Sequence, residues 1–114
     1  MLSWSGQESE IETDLVAVKR GHGNVGVPYA EELMRFADAA ARLDSDVANM
    51  SEARDALASA AGQAMMIDAA AVAANFHMMT RLADGTGARY PQARMQASAA
   101  VIEIMGTAAM ISRR

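Results

Sequence analysis

A chain of 114 residues with 52% hydrophobic side chains has the size of one domain and enough apolar content for a core, which excludes general disorder. Its net charge of −4 excludes a nucleic-acid backbone as partner, because no basic stripe is present to displace counterions. The absence of cysteine excludes disulfides, thiolate nucleophiles and thiolate metal sites together.

The kind of apolar residue decides the fold class. Ala occurs 26 times and Met 10 times, while aromatics make up only 4%. Ala is the strongest helix former and Met an unbranched gap-filler, and few runs are β-branched or aromatic enough for strands. The class is all-α. Ala-rich helices bury little area per residue, so a small monomer built from them is only marginally stable. Burial against further copies offsets that shortage, and a homo-oligomer is expected, with a different protein partner as the other possibility. No run of 18 uncharged apolar residues occurs, so no membrane partner is expected. The N-terminus, MLSWSGQESEIETD, is acidic, unlike a signal peptide, and a cytoplasmic location follows as the expectation.

In chain order, residues 1–28 read as an N-terminal helix and a Gly-rich loop. The helix spans Ser9 to Arg20, with Ile11, Leu15 and Val18 at helical spacing. Acidic residues stand early and Lys19 and Arg20 late, complementing the helix dipole. Gly21–Pro28 breaks the pattern. A second helix covers Tyr29 to Leu43, placing Leu33, Phe36, Ala37, Ala40 and Leu43 inward. On its outer side Glu31 with Arg35, and Asp38 with Arg42, are acid-before-base pairs four apart. A third helix, capped by Asp46 or Ser51, runs to Ala61 with Ala53, Leu57 and Ala60 inward, and Gly62 ends it in left-handed geometry.

The fourth helix is expected to be the core element. Met65, Ala69, Val72, Phe76, Met79 and Ala83 follow alternating steps of four and three, and Ile67, Ala70, Ala73, Ala74 and Met78 widen the apolar surface almost all round. Such a helix is central in its bundle or lies at a subunit interface. Gly85 and Gly87 end it. Residues 92–114 form a C-terminal helix behind Pro91, with Met95, Ala99, Ile102, Met105 and Ala109 in one stripe. The whole is expected to be a compact bundle of about five helices.

Residues 29–91 resemble the C-terminal half of the alkylhydroperoxidase-like, or carboxymuconolactone decarboxylase-like, all-helical superfamily. The likeness rests on ELMRFADAAARL and then AAAVAANFHMMTRLADGTG, above all on Phe76, Arg81, Leu82, Ala83, Asp84 and Gly87. Peroxidase members carry a Cys-x-x-Cys on an upstream helix, whose thiolate attacks the peroxide before a second Cys closes a disulfide. This chain has no Cys, so thiol peroxidase activity is not carried over. What the resemblance implies is a non-redox helical module acting through oligomerisation or partner docking. One alternative is a decarboxylase-like enzyme acting on a small organic acid. Another is a fragment of a thiol peroxidase whose redox helix lies upstream.

For the enzymatic alternative the candidate residues are His77 and Arg81. An imidazole at position 77 could move protons or orient a substrate, and equally it could hold a helix–helix contact. Arg81 could clamp a carboxylate, and equally it could pair with an acid on a neighbouring helix or serve the helix C-terminus. His22 sits in the loop GHGN. There Gly21, Gly23 and Gly26 satisfy a G-x-G-x-x-G spacing, but a helix rather than a strand precedes them, so no dinucleotide cofactor is expected. Two scattered His and no Cys offer no metal-ligand spacing, and the Met cluster reads as packing. No cofactor and no metal enter the reading.

Overall fold

The computed structural model describes residues 13–23, 25–42 and 46–109. Among these, every regular element is helical: α1 (Leu15–Arg20), α2 (Ala30–Ala41), α3 (Val47–Ala61), α4 (Gln63–Thr86), α5 (Gln92–Ala97), α6 (Ala99–Met105) and a 3-10 turn at Thr107–Ala109. The all-α class holds, with six α-helices among the described residues instead of about five.

Helix α1 starts at Leu15, later than the charge pattern placed it. The Asp14 carboxylate accepts hydrogen bonds from the Val16 and Ala17 amides at 2.8 and 3.1 Å, so Asp14 is the N-cap and not a helical residue. The earlier part of the expected helix, Ser9–Glu12, lies outside the described residues. Gly21 closes α1 in left-handed geometry. The loop behind it does more than reverse the chain. Val25 is buried, and its carbonyl accepts the Asp14 amide at 3.3 Å, tying the loop to the start of α1. A lone Val among glycines gives no periodic signal, so its burial is invisible to pattern reading.

Helices α2, α3 and α4 pack on one another, while α1 packs on α6. Phe36 and Ala39 from α2, with the fully buried Ala53 and Leu57 of α3, are the buried residues of the first group. Phe36, Ala53 and Leu57 match the expected inward set. Ala37 and Ala60 do not, since both are exposed, and Leu43 lies outside the described residues. Asp46, not Ser51, caps α3, accepting the Ala48 amide at 3.2 Å. Gly62 has φ 90° and ψ 160°, an extended positive-φ conformation open almost only to glycine rather than the left-handed helical one. That single residue joins α3 directly to α4 and so sets the corner between them.

The C-terminal stripe is one expectation that splits. Ser98 interrupts it, ending α5 and preceding α6, with its hydroxyl 3.4 Å from the Tyr90 hydroxyl. A serine inside a helix offers alternative hydrogen bonds, and here it marks the break. At the far end of α6 the Lys19 ammonium lies close to Gly106, where it complements the carbonyl end of that helix.

The long helix departs from one of its two expected placements, the centre of the bundle. No residue of α4 is buried. The radius of gyration is 15.3 Å, against about 13 Å for a compact chain of this length. Within one chain α4 is a flank, not a centre.

Candidate functional site

Helix α4 has 24 residues, about 36 Å at 1.5 Å per residue, while its neighbours α2 and α3 have 12 and 15. It therefore outruns both supports. Its C-terminus is firmly closed: the Gly87 amide reaches Asp84 and the Ala88 amide reaches Ala83 at 3.0 Å, the paired bonds of a Schellman motif. Gly85, expected to share in ending the helix, lies within it. Three polar side chains along the outer half bond back onto the helix itself. Thr80 donates to the Phe76 carbonyl at 2.9 Å and Thr86 to the Leu82 carbonyl at 2.7 Å. Asn75 lies 3.7 Å from the Met79 sulfur.

Beside the exposed His77, Arg81 and Asp84, the helix surface carries large apolar side chains. Ile67, Val72, Phe76, Met78, Met79 and Leu82 are 52–62% exposed, and Met65 is 39% exposed. At 100° per residue these side chains span about half the helix circumference, well beyond a single buried stripe. Between Asp68 and Arg81 the helix carries no Asp, Glu, Lys or Arg.

Beside it lies a groove of about 510 Å³ between α2 and α4. Leu33, Phe36 and Ala37 form the α2 wall, and Met65, Val72 and Phe76 stand on the α4 wall. Among the lining residues only Asp68 and His77 are polar. The α2 wall is the part that sequence reasoning missed. Ala37 is expected in the core, whereas it is exposed on the groove; Phe36 is buried and also reaches the groove wall. The adjacency of the two residues on one helix face hides that division.

The two candidate side chains sit one turn apart on α4, and both are exposed. His77 lines the groove; Arg81 does not. The single chain thus brings one of them, and not the pair, to this cavity. His22 is exposed in the loop after α1. Among the described residues no buried side-chain nitrogen or oxygen lacks a hydrogen-bond partner, so no orphaned polar atom points to a ligand. No helix among those described is long and apolar enough to cross a membrane.

Comparison with family models, with curated proteins and with solved structures finds no match. The chemistry of the exposed helix and its groove therefore carries the functional reading.

Proposed function

We propose that this chain is a non-redox, alkylhydroperoxidase-like helical module that works by self-association, with α4 as the element that copies bury between them. The observation that supports it is the exposure of seven large apolar side chains on a helix with no buried residue. Leaving such a surface in water is costly, at about 25 cal/mol per Å² of apolar area. Packing it against an equally uncharged surface removes that cost. A homo-oligomer also accounts for the small single-chain core, which holds six buried hydrophobic residues, four of them alanine or valine.

The test is the mass of the purified protein in solution by size-exclusion chromatography with light scattering. The expected result is a defined multiple of 12.0 kDa. Met79→Glu, at a side chain already 52% exposed, should return the protein to single-chain mass with its helical circular dichroism unchanged. A wild-type chain that stays at 12.0 kDa at high micromolar concentration overturns the reading.

A further inference from the structure

Resting on that reading of self-association, we infer that the occupant of the groove is a second copy's α4, lying antiparallel about a two-fold axis at the level of Ala74. The first argument is register. Met65, Ala69, Val72, Phe76, Met79 and Ala83 alternate steps of four and three, the 3.5-residue period of a coiled-coil seam. A straight run of five such steps keeps one line of side chains facing one neighbour. Met65, Ala69, Val72 and Phe76 are also the residues that α4 turns toward the groove.

Side-chain size then selects direction. An antiparallel pair centred at Ala74 sets Met65 against Ala83, Ala69 against Met79, and Val72 against Phe76. Every layer joins a larger residue to a smaller one, which is how facing helices fill space without voids or crowding. A parallel pair does the opposite. It sets Phe76 on Phe76 and Ala69 on Ala69, overfilling one layer and emptying another. Helix dipoles add to the same preference, since antiparallel neighbours place unlike ends together.

Area is the third argument. Met65, Val72, Phe76 and Met79 lie along the seam, and at about 100 Å² for each half-exposed side chain of this size they present roughly 400 Å² per copy. That is about half of the ~800 Å² per partner of a stable interface, and the groove wall formed by Leu33 and Ala37 of α2 adds to it. The apolar arc is wider than a two-helix seam. The second copy brings α2 as well as α4, so each copy completes the other's groove, while Ile67, Met78 and Leu82 face away from the seam. A two-fold arrangement is self-complementary, so the same residues serve both sides.

The absence of cysteine makes the geometry directly measurable, because one engineered thiol per chain takes one spin label. Gln63→Cys and Ala74→Cys place labels at exposed positions away from the seam. Double electron–electron resonance on the full chain should give a separation above about 33 Å between labels at position 63, since the eleven residues on either side of the axis advance 1.5 Å each. Labels at position 74 should lie closer than those at position 63, because both stand at the level of the two-fold and no axial offset separates them. Equal short distances at both positions mean a parallel pair and overturn the inference. A long distance at position 74 in a protein of multiple-chain mass places the contact elsewhere, overturning the inference while self-association stands. Single-chain mass with no dipolar coupling removes both.

Discussion

Arg35 on α2 lies 3.0 Å from Glu52 on α3, so its partner is in the neighbouring helix and not Glu31 one turn back in its own. The i,i+4 rule correctly pairs Asp38 with Arg42, at 3.3 Å. It fails for Arg35 because α3 packs alongside and offers a carboxylate to the same guanidinium. Both partners are more than half exposed, at 51% and 70%. Glu52→Gln should therefore cost no more than about 0.5 kcal/mol, and the loss should vanish in 0.5–1 M salt, a range that contracts the screening length to about 3 Å. Urea melts at low and high salt check this. A salt-independent loss above about 1 kcal/mol would show that the pair does more than bridge two surfaces.

Leu57 is fully buried between α2 and α3, with Ala53 one turn before it. In a core this small, Leu57→Ala removes the largest fully buried side chain and leaves a cavity. A loss of about 2–5 kcal/mol is expected, which is a large share of the stability of a domain this size. Chemical denaturation followed by circular dichroism reads it. A loss below about 1 kcal/mol would mean that the centre lies elsewhere.

Two glycines of the same helix, one at its start and one inside its last turn, should respond with opposite signs. At both Gly62 and Gly85 an added Cβ meets no atom within 4 Å, so only backbone conformation separates them. Gly62 holds φ 90° and ψ 160°, and Gly62→Ala should cost about 1–3 kcal/mol. Gly85 is helical, and Gly85→Ala should stabilise by about 0.5–1 kcal/mol. Paired thermal melts test the difference. If the two shifts share a sign, the α3–α4 corner is not the one described.

Pattern reading located the helices well because helical order is local. Asp14, Asp46 and Gly87 act through bonds to residues a few positions away, and Phe36, Ala53 and Leu57 announce themselves by period. It misplaced burial where burial depends on distant neighbours. Val25 is buried by contacts its own segment does not encode, and Ala37, one step from the buried Phe36, opens onto the groove. The candidate site divides the same way. His77 and Arg81 share a helix face by spacing alone, but whether each meets the groove depends on where α2 lies.

The amino-acid sequence by itself determined that this protein is helical, without thiol chemistry, and built around one long, uncharged, Ala- and Met-rich segment. Those properties follow from side-chain identity, backbone propensity and periodicity, which need no information about packing. Only the tertiary structure decided where that segment sits. Hydrophobicity specifies that α4 carries a wide apolar surface but not what packs against it. Gly62 and the short α2 and α3 leave it as a flank whose apolar face stays open in the single chain.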